Sequence, residues 1–243
     1  MQAVILAAGQ GVRLRPITDD RPKPMVPIGE MPILEYTFSI LPKVIDEVIL
    51  VVGYKQEKIR EHFGEEWKGR KIIYVDQPEP KGSADALERV RTYIKGPHFL
   101  LMYGDDLYHA GDLEACVKGT EQVMLVKEAE HPERMGVCQL DDEGYVTDFV
   151  EKPKIPPSNL ASIGVFVLHE DIFSVAPAYL PNGENCLAAQ IPDLIKLRPL
   201  KTVRAQFWHP IGYPEDVEKA KELLPGLLAE RQKKLEAPIT APH

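Results

Sequence analysis

The sequence predicts an α/β domain, a mixed and mainly parallel sheet with helices on both faces and a small antiparallel addition. Three observations predict it. Nearly all-apolar runs at residues 3–8, 47–52, 71–75 and 98–103 alternate with stretches of helical spacing, as parallel strands joined by crossover helices require. Three of these runs stop at a glycine or just before one, at Gly9, Gly53 and Gly104, which cuts each too short for a buried helix. After residue 130 the alternation gives way to two runs separated by Asp141-Asp142-Glu143-Gly144, the pattern of a hairpin.

The first strand, residues 3–8, runs into Gly9-Gln10-Gly11. Pro32, at a first helical position, opens a helix over 32–41, and the strand at 47–52 is followed by a helix over 56–63. The strand at 71–75 leads into the proline-rich loop 76–82, after which Ser83 is placed to cap a helix reaching about Ile94. The strand at 98–103 delivers Gly104-Asp105-Asp106, and a short helix at 112–118 and a strand at 122–127 follow. Strands at 134–140 and 145–150 form the hairpin, and 163–168 is a further apolar strand. Helical turns at 171–176 and a helix at 188–197 that must accommodate Pro192 precede a last strand at 201–207. A Glu- and Lys-rich helix from Pro214 to Lys234 completes the domain, and a loose tail is expected after Glu236.

The 243 residues suffice for one full core, and 44% hydrophobic with 27% charged content is ordinary for a globular chain. A net charge of −8 argues against a nucleic-acid partner, since a phosphate polymer is held by excess Lys and Arg. No run of eighteen apolar residues and no basic-then-apolar leader is present, so neither a membrane span nor a secretory signal is expected. Cys116, Cys138 and Cys186 lack metal-type spacing and fit a reducing cytoplasm better than a disulfide framework.

Chemistry concentrates at the strand ends. Arg13, Arg15 and Lys23 lie within about a dozen residues of Gly9 and Gly11, and glycines that fold tightly beside cations suit an anion such as phosphate. Two generic motifs fail here: Leu14 stands where Gly-x-Gly-x-x-Gly needs its third glycine, and no Gly-Lys-Ser/Thr follows. A dinucleotide oxidoreductase is further disfavoured by Gly53-Tyr54, where an acidic residue should end the second strand. Asp105-Asp106 after a buried strand reads either as a carboxylate pair facing a divalent ion or as a cap on the next short helix.

The run Leu6-Ala7-Ala8-Gly9-Gln10-Gly11-Val12-Arg13-Leu14-Arg15-Pro16, followed by Pro22-Lys23-Pro24-Met25-Val26-Pro27, resembles the N-terminal signature of the sugar-1-phosphate nucleotidylyltransferases. Val12 departs from it, where the family often has threonine. The resemblance spans a catalytic domain of residues 1–230, leaving 231–243 as a C-terminal tail, and it implies a three-layer α/β/α Rossmann-like fold. It implies transfer from a nucleoside triphosphate to a sugar 1-phosphate, with Mg²⁺ as cofactor and a homo-oligomeric state left open. Leu6, Ala8, Gly9 and Gly11 would border the nucleotide, Arg13 and Lys23 would hold its triphosphate, and Gln77 and Gly82 would read the base. Asp105 would ligate the metal. Gly136, Glu151 and Lys152 would form the sugar-phosphate site, with Asn159 as a further sugar contact. Lys81-Gly82-Ser83-Ala84-Asp85-Ala86 looks like the uridylyl and thymidylyl versions, which favours UTP or dTTP with glucose 1-phosphate.

One departure matters. Where the family's Trp-x-Asp-x-Gly segment supplies a second metal aspartate, this chain has Trp208-His209-Pro210-Ile211-Gly212. Asp105 with phosphate and water, or Asp106 or His209 as substitutes, would then complete the metal's shell. The alternatives are transfer to another phosphorylated acceptor and a catalytically weak, nucleotide-sugar-binding or regulatory relative.

Overall fold

The computed structural model describes residues 1–236. Its first half comprises β1 (Gln2–Ala7), β2 (Pro27–Ile28), β3 (Met31–Pro32), α1 (Ile33–Ile40), β4 (Glu47–Val52), α2 (Glu57–Phe63), β5 (Glu66–Trp67), β6 (Arg70–Asp76), α3 (Ser83–Val90) and β7 (His98–Tyr103). The second comprises β8 (Leu107–Tyr108), α4 (Ala110–Cys116), β9 (Gln122–Glu128), β10 (Gly136–Leu140), β11 (Val146–Glu151), β12 (Leu160–His169), α5 (Leu187–Leu197), β13 (Leu200–Arg204), β14 (Trp208–His209) and α6 (Pro214–Glu236).

The main sheet runs β11-β10-β12-β7-β1-β4-β6-β5, with β9 pairing β12 and β13 pairing β9. β7, β1, β4 and β6 are mutually parallel, which brings the ends of all four to one edge. β12 is the joint between the parallel half and the antiparallel addition, pairing antiparallel with β7, β9 and β10. Its register against β9 slips between Ser162 and Phe166, and Gly164 sits there at φ +79°. A β-carbon at Gly164 would stand 2.5 Å from the Tyr103 ring, so only glycine lets β12 cross that ring.

Strand alternation generates the three layers. Ala3, Ile5, Val48, Leu50 and Val52 face a core built with α1, α2, α4 and α6, while Val4, Ile49 and Val51 face one built with α3 and α5. Both faces of the central strands are therefore apolar, as the continuous runs anticipate.

Several local expectations are corrected. Pro32 is the N-cap of α1 and not its first residue. Ser83 does not cap α3: Gly82 holds the N-cap position without a side-chain bond, and the Ser83 hydroxyl accepts from the Leu187 N–H at 3.0 Å. The short helix starts at Ala110, because Asp112 lies within it and accepts from the Gln206 N–H and side-chain amide, both at 2.9 Å. The turns near 171–176 are a 3₁₀ segment, Glu170–Ser174. The last strand leaves the sheet after Arg204, where the Gln206 bonds to Asp112 pull the chain away. α6 runs two residues past Lys234, where the sequence ends the helix, and the tail expected after Glu236, residues 237–243, lies outside the described residues.

Candidate active site

Two cavities open at the shared strand edge. The larger, of about 440 Å³, is lined by Leu6, Ala8, Gly9, Gln77, Gly82, Gly136, Glu151 and Lys152, among others. The smaller, of about 240 Å³, is lined by Leu6, Gly9, Gly11, Arg13, Lys23 and Asp105. They meet at Leu6 and Gly9. Carboxyl ends of parallel strands are where open α/β sheets bind ligands.

The smaller cavity is electrostatically organised. Gly11 adopts φ +65°, and a β-carbon there would lie 2.8 Å from Lys23 Cβ, so the turn closes directly onto the lysine. The Gly11 carbonyl accepts from Thr18 Oγ1 at 2.8 Å, which fixes the loop. Lys23 Nζ lies 2.8 Å from Asp105 Oδ2 and 3.5 Å from Asp106 Oδ1, with its side chain 13% exposed. Burial works against that ammonium, but the two carboxylates outweigh it and hold its pKa above the usual lysine value. The Gly104 N–H donates to the Leu6 carbonyl at 3.0 Å, tying the aspartate turn to the glycine turn.

The paired aspartates play different parts. Asp106 accepts from Trp208 Nε1 at 3.1 Å and from the Ile211 N–H at 2.9 Å, anchoring the segment that follows β14. Burial and the neighbouring Asp105 charge push its carboxyl above the usual range. Asp106 therefore caps no helix, the next one having His109 at its N-cap. Asp105, 32% exposed, lines the cavity and is the carboxylate able to take a divalent ion. No group of three or more His, Cys, Asp or Glu is placed to hold a metal among the described residues. One hard carboxylate beside a phosphate-sized cavity fits Mg²⁺, which completes its shell with ligand oxygens and water. Pro210 is exposed, and His209 Nε2 bonds the Asp216 carbonyl at 2.8 Å, so neither residue replaces the missing aspartate.

In the larger cavity, Gln77 Nε2 donates to the Gly82 carbonyl at 3.0 Å and to Asp85 Oδ2 at 2.9 Å. Both partners are acceptors, so the amide orientation is forced and Oε1 is left as an acceptor. Gly82, at φ +105°, lies against the Asn185 backbone, where no side chain fits. Opposite, Lys152 follows β11 at φ +47°, a left-handed conformation that an L-residue holds only when its surroundings enforce it. Its N–H donates to the Met135 carbonyl at 3.0 Å, and its Nζ lies 3.5 Å from Glu151 Oε1. Burial pushes the Glu151 carboxyl above its usual pKa. A β-carbon at Gly136 would lie 2.7 Å from Glu151 Oε2, so glycine makes room for that side chain.

Every residue expected at the site lines one of the two cavities except Asn159, whose side chain is exposed while its carbonyl accepts from the Ala129 N–H at 2.9 Å. Sequence reasoning missed Tyr103, Ser162, Gly164 and Cys186, which also line the larger cavity. Ser162 precedes the expected strand start at 163, which the structure moves to 160, Gly164 lies within that strand with no local sign of its cavity contact, and Tyr103 ends a buried run.

The profile of the nucleotidyl transferase family matches residues 2–225. The chain is 39% identical over 235 residues to UTP–glucose-1-phosphate uridylyltransferase AglF of Haloferax volcanii, covering 92% of this chain and 96% of that protein. It is 36% identical over 227 residues to the bifunctional protein GlmU of Methanocaldococcus jannaschii, and this match spans 54% of that longer protein. Among solved structures, a UDP-glucose pyrophosphorylase complexed with UDP-glucose superimposes with a TM-score of 0.80 at 22% identity, covering 93% of this chain and 98% of that one.

Proposed function

The chain belongs to the nucleotidyl transferase family, and from that premise we propose that it joins a nucleoside triphosphate to a sugar 1-phosphate, releasing pyrophosphate, with UTP or dTTP and glucose 1-phosphate as the favoured pair. The observation that carries this reading is the junction of two cavities at Leu6 and Gly9, with Lys23 and Arg13 on one side and Lys152 on the other. Two anions that repel each other need separate cations on a common rim, and alignment of the two is most of what the reaction requires.

In this reading a sugar-phosphate oxygen attacks the α-phosphorus in line, and the bond to the departing pyrophosphate breaks. Arg13 and Lys23 hold the triphosphate and offset the charge that spreads as the bonds exchange. Lys152 keeps the incoming phosphate beside the nucleotide, and Glu151 accepts from sugar hydroxyls. A divalent ion on Asp105, when bound, would neutralise further phosphate charge. Gln77 supports a pyrimidine with an N3–H: its Nε2 is committed to Gly82 and Asp85, leaving an acceptor for that donor. Kinship with the Haloferax uridylyltransferase favours UTP and glucose 1-phosphate over other pairs. A cytoplasmic setting belongs to the same proposal, and no helix among the described residues is long and apolar enough to cross a membrane.

A second reading rests on Pro210. Asp106 is committed to Trp208 and Ile211, and His209 to Asp216, which leaves Asp105 as the one carboxylate lining the smaller cavity among the described residues. A binding or regulatory role would follow if that is too little. A matrix of nucleoside triphosphates against sugar 1-phosphates, with and without Mg²⁺ and read by pyrophosphate release, separates the two. One productive pair establishes the enzyme, whereas nucleotide binding with no release from any pair establishes the alternative.

A further inference from the structure

We propose that Tyr213 is a positioning residue for triphosphate binding: its ring holds the Arg13 guanidinium at the phosphate cavity while leaving the N–H donors of that group uncommitted. The inference rests on the reading of Arg13 as a triphosphate ligand. Arg13 is exposed and sits on the single 3₁₀ turn Val12–Leu14, where a long side chain has wide rotamer freedom. Its Cζ lies 5.2 Å from the centroid of the Tyr213 ring, within the range of a cation–π contact.

Charge balance separates Arg13 from the other cations near the site. Lys23 meets two carboxylates, Lys152 meets Glu151 at 3.5 Å, and Arg15 meets Asp19 at 3.4 Å. Arg13 has no acidic partner among the described residues, so it supplies the uncompensated positive charge of the smaller cavity. A carboxylate would have oriented it only by neutralising it and occupying its donors. An aromatic face does neither, because the ring attracts the flat of the guanidinium and leaves its edge for phosphate.

The ring is itself held in place. The Gly212 and Tyr213 N–H groups both donate to Asp216 Oδ2 at 2.8 Å, a cap at the start of α6. Upstream, Trp208 and Ile211 are fastened to Asp106. Gly212 packs beside the arginine, its β-carbon position lying 3.7 Å from Arg13 Cζ, an ordinary contact distance. Tyr213 is 46% exposed, so removing the ring takes little from the core and leaves the variant folded.

The test is calorimetric binding of UTP to the full chain and to Tyr213→Ala, Tyr213→Leu, Tyr213→Phe, Arg13→Ala and the Arg13→Ala/Tyr213→Ala double variant. A contact of this kind predicts that Ala and Leu at 213 each weaken UTP about two- to fivefold, that Phe restores affinity, and that Tyr213→Ala costs nothing further once Arg13 is gone. UTP binding unchanged in Tyr213→Ala, or a loss of equal size in the Arg13→Ala background, overturns the inference and leaves the role of Arg13 intact. Unchanged UTP binding in Arg13→Ala overturns the phosphate role of Arg13 itself, and the inference with it.

Discussion

Lys23 and Arg13 face one cavity, the first with carboxylate counter-charges and the second with none within ion-pair distance among the described residues. Lys23 is held on Asp105 Oδ2 at 2.8 Å, the oxygen a divalent ion would seek, whereas Arg13 lies over the Tyr213 ring. The free protein should therefore bind Mn²⁺ weakly, and UTP should tighten that binding at least about tenfold by drawing the ammonium to phosphate, as electron paramagnetic resonance of the free ion would show. Removing either charge should damage the reaction: Lys23→Ala or Asp105→Ala should lower turnover at least about a hundredfold with the thermal unfolding midpoint near that of the parent. Near-normal turnover in both would discard the assignment. Glu151 gives a pH signature. Its folded pKa is raised by burial above the ordinary 4.5, so the stability linked to its protonation is present below that pH and lost as pH rises through the folded value. Glu151→Gln should accordingly be more stable than the parent to urea at pH 7, with the gain vanishing towards pH 4. That Lys23, Lys152, the glycines and Asp105 line the cavities follows from unbroken local runs at the strand ends. Tyr103 and Cys186 are not, because each enters the cavity through contacts with residues distant in sequence. Asn159 lies apart from both cavities for the complementary reason: Ser158 bonds back to the Cys138 carbonyl at 2.7 Å and the next side chain is exposed.

Among the elements, the segment from β14 to the start of α6 is the one that tightens the site without lining it deeply. Its anchor is Asp106, 14% exposed, which accepts from two N–H donors. Asp106→Ala would leave the Trp208 and Ile211 donors unpaired, at about 2–3 kcal/mol of stability in urea unfolding. A loss under about 0.5 kcal/mol, the scale of an ordinary surface change, would show that the segment is held by other contacts. Asp106 could not be told from a metal ligand or a helix cap by sequence, since its partners lie about a hundred residues away. The alternation of apolar runs and helices was legible almost throughout, because burial on both sheet faces writes itself as continuous hydrophobic strands. Boundaries moved where a tertiary bond competed with a local preference: Asp112 lies inside α4 because Gln206 claims its carboxylate, and Ser83 gives up capping for Leu187.

On the scale of the molecule, the parallel half and the antiparallel addition each bring one cavity wall, and β12 joins them. Behind them lie the two apolar cores, one on each face of the sheet. Leu50, at the centre of β4 and fully buried, should cost about 2–5 kcal/mol on substitution by alanine, measured by urea unfolding. The net charge of −8 is compatible with local cations, because Arg13, Lys23 and Lys152 line the two cavities whatever the balance over the rest of the chain. Seating two anions across that rim, one in each cavity, is the claim on which the proposed reaction depends. Its most direct measurement is the pair of Michaelis constants for UTP and glucose 1-phosphate in Lys152→Ala. The account predicts a rise of at least about tenfold for the sugar phosphate with the UTP value within about twofold of the parent, as expected when a charged contact to only one ligand is lost. Equal rises for both substrates, or a rise confined to UTP, would contradict it.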